Sequence, residues 1–387
     1  MSASSFTPFN KVTLIRGGTA YFELLVKLMD LAEDTVHLQV YIYDDDETGR
    51  LIMEAMAGAV KRGVKVYLLA DGYASQALPE AFIEEMKTAG IHFRFFEPLF
   101  KSSSFYFGRR LHHKIMVTDN LYALVGGINI SNRYNDMPDQ PAWLDFALLT
   151  EGDIVKDLCE LCQQTWKGLK RERWVETCYP GKLAGQLPPG EVAEVRMRRN
   201  DWVGGKKQIS RTYFEMLVTA EKEVSILCSY FLPGRTMRKA IKKAIRRGVT
   251  IKVIMAGKSD LPVAKNAERF MYDWLLRYKV AIYEYQQNVL HGKIAVCDKK
   301  WITIGSYNIN DISAYASIEL NLDVKNEAFA SHVSETLKVI IENDCLPITS
   351  ETLLLNRNIF SRLLRWGSFR LFRIGFYMFT FYFRQRL

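Results

Sequence analysis

The stretch His112-His113-Lys114-Ile115-Met116-Val117-Thr118-Asp119 returns later in the chain as His291-Gly292-Lys293-Ile294-Ala295-Val296-Cys297-Asp298. In each copy a histidine and a lysine two positions apart head an apolar run. On an extended strand their side chains share one face, and the aspartate falls where the strand reaches its turn. After six further residues comes Gly126-Gly127-Ile128-Asn129 in the first copy and Gly305-Ser306-Tyr307-Asn308 in the second. Glycine there lets backbone approach a ligand closely, and an asparagine amide can donate to a phosphate oxygen. A lone His-x-Lys would say little, because a histidine on an apolar strand is usually a satisfied core residue. Six fixed positions over eighteen residues, occurring twice and using two of only six histidines, point instead to one site built from two copies of a motif.

The recurrence extends outward from the motif. Tyr21-Phe22-Glu23-Leu24-Leu25-Val26 is answered by Tyr213-Phe214-Glu215-Met216-Leu217-Val218, each opening a helix. Lys61-Arg62-Gly63-Val64-Lys65-Val66 is answered by Arg246-Arg247-Gly248-Val249-Thr250-Ile251, where a helix ends on glycine and a buried strand begins. The period is near 180 residues, far longer than the roughly 20–50 of solenoid repeats. Hydrophobic periodicity predicts helices over 19–32, 47–62 and 78–88 and strands over 36–43, 65–71, 91–97, 113–118, 121–127 and 145–150. The second half follows the same order, with strands near 224–231, 250–256, 280–285, 292–297, 301–305 and 319–324. This alternation predicts an α/β fold of two similar repeats, each a mixed sheet flanked by helices. A Pro- and Gly-rich connector over 179–190 sets the expected halves at 1–178 and 191–345, with a distinct segment over 346–387.

Composition bounds the function. The 387 residues are 48% apolar and 25% charged, the balance of a globular protein and not of a disordered one. The 52 Lys and Arg outnumber 43 Asp and Glu, and the net charge of +9 favours phosphate-bearing partners: nucleic acid, anionic lipid or phosphorylated small molecules. The N-terminal residues 1–11 lack the pattern of a signal peptide. Six scattered cysteines in such a chain predict no disulfide framework and suit a reducing compartment. Cys159-x-x-Cys162 falls in an amphipathic helix with no second Cys/His pair nearby, so it is expected to pack and not to bind zinc. The longest nearly uncharged apolar run, 374–383, covers ten residues, half of the ~20 needed to cross a bilayer.

The pattern H-x-K-x4-D-x6-G-[GS]-x-N, present twice, resembles the phospholipase D superfamily over roughly residues 10–345. Ala70-Asp71-Gly72-Tyr73, Tyr230-Phe231-Leu232-Pro233-Gly234 and Val289-Leu290-His291-Gly292-Lys293 resemble its bacterial cardiolipin synthase branch that lacks N-terminal transmembrane helices. The resemblance implies two halves forming one site across a pseudo-twofold interface, with phospholipids as substrates. It implies phosphatidyl transfer to phosphatidylglycerol, from a second phosphatidylglycerol or from phosphatidylethanolamine, to give cardiolipin, with His112 as nucleophile. Hydrolysis to phosphatidic acid would use the same residues with water as acceptor. The superfamily's nucleases offer DNA or RNA as the rival substrate, and a noncatalytic membrane scaffold is a second rival. The complete His and Lys pairs speak against the scaffold.

Residue chemistry agrees with that implication. A neutral imidazole can attack a phosphodiester to give a phosphohistidine, and a second, protonated one can hand its proton to the departing alcohol. The candidate catalytic residues are His112, Lys114, Asp119, His291, Lys293 and Asp298. Lys114, Lys293, Asn129, Asn308 and Ser306 are expected around the nonbridging phosphate oxygens, with no metal ion or other cofactor required. Within the motif, Asp119 and Asp298 are expected to bond turn backbone at the interface. Asp145, in Trp143-Leu144-Asp145-Phe146, and Glu319, in Ile318-Glu319-Leu320-Asn321, are the expected acids that orient the imidazoles. His113 should face away from the site, and Cys297 should be a small core residue.

The tail is unlike the rest. Residues 356–387 hold seven arginines, no lysine, no acid and ten aromatic residues. An amphipathic helix of that composition is expected to lie in the headgroup region of an anionic bilayer, at the cytoplasmic face of the bacterial inner membrane, which favours lipid over nucleic acid as partner. Docking of this helix on the protein core or at a dimer interface is the alternative. Two more stretches fit a lipid surface: 98–110, which joins aromatics to cations ahead of the first motif, and 235–247, with seven basic residues on a helix whose face is equally suited to solvent.

Overall fold

The computed structural model describes residues 5–98, 109–168, 178–179, 183, 188, 190–201, 204–259, 261–310, 313–314, 317–355 and 363–371. The apolar run after the first motif forms strand Lys114–Thr118, buried along its whole length. Ile115 and Val117 enter one hydrophobic cluster while Met116 enters another. The second motif repeats this in strand Lys293–Cys297: Ile294 and Val296 join the first of those clusters, Ala295 and Cys297 a third. Period two with both faces apolar is the pattern of a strand covered on both sides. A central core to which both halves contribute, helices Ile154–Lys167 and Glu327–Asp344 included, therefore lies between two outer cores, one per half, packed under other helices of that half.

The first half contains β1 (Thr7–Arg16), β2 (Thr35–Val40), β3 (Lys65–Asp71), β4 (His92–Phe96), β5 (Arg110–Leu111), β6 (Lys114–Thr118), β7 (Tyr122–Gly126) and β8 (Phe146–Gly152). Its helices are α1 (Thr19–Asp30), α2 (Glu47–Lys61), α3 (Glu80–Thr88) and α4 (Ile154–Lys167). The second half contains β9 (Ala193–Asp201), β10 (Lys206–Lys207), β11 (Glu223–Cys228), β12 (Thr250–Lys258), β13 (Ala281–Val289), β14 (Lys293–Cys297), β15 (Trp301–Gly305), β16 (Ser317–Lys325) and β17 (Cys345–Ile348). Its helices include α5 (Gln208–Thr219), α6 (Arg235–Arg246), Pro262–Phe270, Tyr272–Arg277 and Glu327–Asp344.

Pairing confirms the duplication strand by strand. β2, β3 and β4 run parallel, and β2, β6, β7, β8 and β1 follow one another antiparallel. In the second half β11, β12 and β13 are parallel, and β11, β14, β15, β16 and β9 are antiparallel. β1 meets β9 at Asn10 and Ala193, so one mixed sheet runs through both halves. Asn10 secures that seam: its amide donates to the carbonyls of Thr7 and Ala193, and its side-chain oxygen accepts from Ile154 N–H. β1 and β9 are absent from the periodicity-based expectation, because β1 is largely solvated and lacks a clean apolar alternation. The expected glycine stops are present, Gly63 at φ +94° after α2 and Gly248 at φ +95° after α6, in a region glycine enters without steric cost.

The motif aspartates hold strand ends within their own halves and do not sit at the interface, which corrects that expectation. Asp119 accepts the N–H groups of Glu33, Asp34 and Thr35 at 2.7–2.9 Å, fixing the entry to β2. Asp298 does the same for Glu221, Lys222 and Glu223 ahead of β11, at 2.7–2.8 Å. Both stand at positive φ, +51° and +52°, where aspartate is among the better tolerated residues.

A second correction concerns the cysteines. Cys159, on the buried face of α4, is joined to Cys178 by a disulfide that the scattered spacing does not predict. Cys162, Cys228 and Cys297 are buried free thiols, and Cys345 is half-buried. The stretch 99–108, most of the connector and most of 356–387 lie outside the described residues. Of the tail, 363–371 is helical, with Ser368 buried and the Phe369 ring 4.8 Å from that of Phe270. Among the described residues no helix is long and apolar enough to cross a membrane. Protein isolated without reductant, unfolded and treated with a thiol reagent should show four reactive cysteines and six after reduction. Six before reduction would mean that the Cys159–Cys178 bond does not form in that compartment.

Candidate active site

Each histidine is placed by a strand contact with the other half. β5, just before His112, lies parallel to β16, pairing Leu111 with Ile318, and His112 N–H donates to Ile318 C=O at 3.0 Å. Leu290, just before His291, pairs with Leu144, and His291 N–H donates to Leu144 C=O at 2.8 Å. The next residue on each partnering strand is the acid: Glu319 after Ile318, Asp145 after Leu144. His112 Nδ1 consequently lies 2.9 Å from Glu319 Oε2, and His291 Nδ1 lies 2.6 Å from Asp145 Oδ2. The acids are exchanged between the halves. Sequence gives no sign of this, since each acid follows the motif of its own half and reads most simply as that motif's partner.

With the carboxylates ionised, each Nδ1 carries the proton and each Nε2 the lone pair. Both carboxylates are buried, which alone would raise them. Lys293 and His291 hold Asp145 below its usual range, and His112 and Lys114 hold Glu319 below its own. Burial, with Lys293 next in effect, pushes His291 down to about 4, and burial with the nearby lysines lowers His112. Burial also pushes Lys114 down to about 7, although Glu319 opposes it.

The lysines are strung beside their histidines. Lys114 Nζ donates to His112 C=O at 2.7 Å; Lys293 Nζ donates to His291 C=O and stands 2.9 Å from His291 Nδ1. Lys114 and Lys293 are nearly inaccessible, while His112 and His291 keep 17% and 10% of their side chains open to a common cavity of about 260 Å³. Both asparagines line it, Asn129 bracing the loop after β2 and Asn308 the loop after β11. Asn129 accepts from Ile42 N–H and donates to the Tyr134 hydroxyl, and Asn308 accepts from Tyr230 N–H.

Ser306 is not at the cavity wall. Its hydroxyl donates to Glu319 Oε2 at 2.5 Å, so it serves the acid and not the phosphate. The counterpart of Ser306 is Gly127, where a Cβ would stand 2.5 Å from Asp145 Oδ1. Gly126 likewise passes β8 backbone too closely for a side chain. The glycines of the motif thus admit the protein's own carboxylate and strand, correcting the expectation that they admit a ligand. His113 points away and bonds Gln39 at 2.8 Å, and Cys297 is packed in the outer core. Cavity residues that the motif does not announce are Tyr41, Arg110, Arg133, Tyr134, Trp143 and Tyr230. Their signal was faint: Trp143 and Tyr230 occur in segments quoted for other reasons, and Arg110 ends the aromatic and cationic stretch 98–110. Among the described residues no three His, Cys, Asp or Glu side chains converge as a metal site.

The arrangement brings two imidazoles, each backed by a buried carboxylate, to one cavity with arginines in its wall and lysines buried beside the imidazoles, a set suited to nucleophilic and acid-base chemistry on an anion. Known proteins resemble the chain. Residues 25–141 and 213–341 match a family model described as a cardiolipin synthase, phospholipase D-like domain. The chain is 34% identical over 352 residues to cardiolipin synthase B of Shigella flexneri and of Escherichia coli K12, spanning 90% of this chain and 84% of either relative. It is 28% identical to cardiolipin synthase 1 of Bacillus anthracis, spanning 86% of this chain and 65% of that one. The fold is similar to that of phosphatidylserine synthase from Haemophilus influenzae Rd KW20, with a TM-score of 0.75 at 15% identity over 96% of this chain and 95% of the other. A sequence match in both repeats, joined to a duplicated His-Lys site, places this chain in the phospholipase D-like cardiolipin synthase family.

Proposed function

We propose that this chain is a phosphatidyltransferase that makes cardiolipin from phosphatidylglycerol and a second phospholipid through a phosphohistidine. The observation that carries the proposal is the pair of exchanged contacts, His112 with Glu319 and His291 with Asp145, opening on one cavity. On this proposal residues 1–178 and 191–345 are the catalytic halves, and 346–387 is a surface segment.

In the first step His112 Nε2 attacks the phosphorus of the donor. Its headgroup oxygen departs with a proton from His291, leaving the phosphatidyl group on nitrogen. In the second step the acceptor hydroxyl gives its proton back to His291 and displaces His112. The inner residues hold two ammonium groups, Lys114 and Lys293, against two carboxylates, Asp145 and Glu319. An arriving phosphodiester brings an uncompensated negative charge, which favours protonation of an imidazole that is otherwise kept neutral. Substrate binding thereby loads the acid. Lys114, Lys293, Asn129 and Asn308 are assigned to the nonbridging oxygens, and Asp145 and Glu319 to holding the Nδ1 proton.

Membrane attachment is assigned to the tail. Helix 363–371 exposes Leu363, Leu364, Trp366 and Leu371, with Arg370 stacked on Trp366, and Phe369 touches Phe270 of the helix whose first turn lines the cavity. An apolar, cationic helix docked on that neighbour suits attachment to an anionic lipid surface. Assignment to the cytoplasmic face rests on the tail's arginines; the Cys159–Cys178 bond opposes it, since reducing compartments disfavour disulfides.

Purified protein in detergent with labelled phosphatidylglycerol, with and without phosphatidylethanolamine, should yield cardiolipin. His112→Ala and His291→Ala should each reduce turnover by at least about 10³-fold. Cleavage of an oligonucleotide with no lipid product would sink the proposal, and substantial activity in either mutant would refute the shared site. Lys114 is a cation below its pKa of about 7 and neutral above it, so kcat/KM should decline as pH rises through that value. A profile flat from pH ~6 to ~8.5 would remove Lys114 from phosphate binding. Deleting 356–387 should abolish binding to liposomes containing anionic lipid. Undiminished binding would show that the tail is not the attachment.

A further inference from the structure

The cavity departs from twofold symmetry in its charge. Arg110 stands two residues before His112, and Val289 stands at the same place before His291. Arg133 stands four residues after Asn129, where the second copy has Ile312 after Asn308. Both arginines that line the cavity therefore come from the first half. They differ in setting. Arg110 is almost buried, 3.7 Å from the inaccessible Asp71 and bonded to Glu97 C=O, which ties it to the framework under β5. Arg133 is 41% exposed at the mouth. Its Nη2 is held by Asp44 at 2.8 Å and its Nε by the Ser131 hydroxyl at 3.2 Å, with the guanidinium 5.5 Å from the Trp143 ring centre. A guanidinium has five N–H donors, so these contacts fix its plane and leave donors for an anion.

Arg133 also sits on the side of His291. The Trp143 ring is 6.1 Å from the imidazole of His291, so the guanidinium lies no more than about 12 Å from that imidazole. A phosphatidylglycerol acceptor carries its own phosphate three carbons from the hydroxyl that attacks. Six bonds of ~1.5 Å between the two phosphorus atoms of the product span about 7 Å. Allowing hydrogen-bonding reach at each end, such an acceptor bridges from His291 to Arg133.

We propose that Arg133, oriented by Asp44 and Trp143, forms a second phosphate subsite that selects an acceptor bearing a phosphodiester across a three-carbon alcohol. This rests on the transferase proposal and deepens it. In the step concerned, the His112 N–P bond breaks, the acceptor O–P bond forms, and the hydroxyl proton passes to His291 Nε2. The second phosphate takes no part in bond exchange; it is gripped by Arg133 so that the hydroxyl is presented to the phosphohistidine ahead of water. Charge-assisted pairing of this kind is short and oriented, and Arg suits it better than Lys.

The test measures transfer from one labelled phospholipid donor to glycerol, to glycerol 3-phosphate and to phosphatidylglycerol, with release of phosphatidic acid as the hydrolytic reference. Wild type should use both phosphate-bearing acceptors at least about tenfold better than glycerol. In Arg133→Gln the ratio of transfer to hydrolysis should drop about tenfold or more for those two acceptors and little for glycerol, with Arg133→Lys between. If glycerol 3-phosphate matches glycerol while phosphatidylglycerol alone is preferred, the acyl chains and not the second phosphate are being recognised, and the subsite is refuted. An unchanged ratio in Arg133→Gln refutes it as well. The wild-type acceptor series can still refute the second phosphate subsite if the variants fail to fold, and the Arg133 variants assign it to that residue. Absence of any transfer would overturn the transferase proposal itself, a result distinct from loss of acceptor preference.

Discussion

The site depends on two short pairings between the halves, β5 on β16 and Leu290 on Leu144. Each sets a histidine beside an acid that belongs to the other repeat. Neither half alone could hold an oriented imidazole, because its own acid points to its neighbour's histidine. A duplicated fold with one active site follows from that exchange more directly than from the duplication. The central core reinforces it: Ile115 and Val117 from one motif strand pack in the same cluster as Ile294 and Val296 from the other. Apolar side chains buried to that extent contribute roughly 1.5–3 kcal/mol each, so opening the interface enough to separate His112 from Glu319 would also expose a large apolar surface.

Enclosing four charged groups and two imidazoles is costly, and the cluster persists because the charges are paired and hydrogen-bonded. Its acids are held ionised against burial by the lysines and imidazoles, and its histidines are kept neutral by burial and the same lysines. A cluster of this kind is electrically balanced and poorly acidic. On the proposed mechanism the arriving phosphodiester confers the reactivity, so that the general acid is protonated only when there is a leaving group to accept its proton.

Much of this was legible in the sequence, and the boundary of legibility has a physical basis. Period-two runs such as Lys114–Thr118 and glycine stops such as Gly63 and Gly248 are local signals, and the structure follows them. β1 is different: it is stabilised by pairing with β8 and β9, partners remote in sequence, and its own residues show little alternation. Within the motif, the spacing of His112 and Asn129 brings them to one cavity with Lys114 buried beside His112, but spacing could not separate what faces substrate from what supports it. Ser306 looks like a phosphate donor and instead serves Glu319; Gly127 looks like room for a ligand and instead makes room for Asp145. Cys178 gave no hint that it would return to Cys159, since nothing local to either residue encodes the approach.

These two substitutions at one equivalent position show how the repeats have diverged while keeping a common geometry. In the first half a glycine lets the short Asp145 side chain sit against the backbone, with Phe146 N–H completing its hydrogen bonding at 2.7 Å. In the second half the longer Glu319 reaches past that point and is received by two hydroxyls, Ser306 at 2.5 Å and Ser317 at 2.7 Å. Both solutions hold a buried carboxylate on an imidazole Nδ1, but they are not interchangeable: serine in place of Gly127 would collide with Asp145, and glycine in place of Ser306 would leave Glu319 short of a donor. Nonidentical acids give the two histidines different environments, His291 with a 2.6 Å partner and His112 with a 2.9 Å partner. A reaction that needs one imidazole as nucleophile and the other as acid benefits from that inequality, and an exact twofold site could not have provided it.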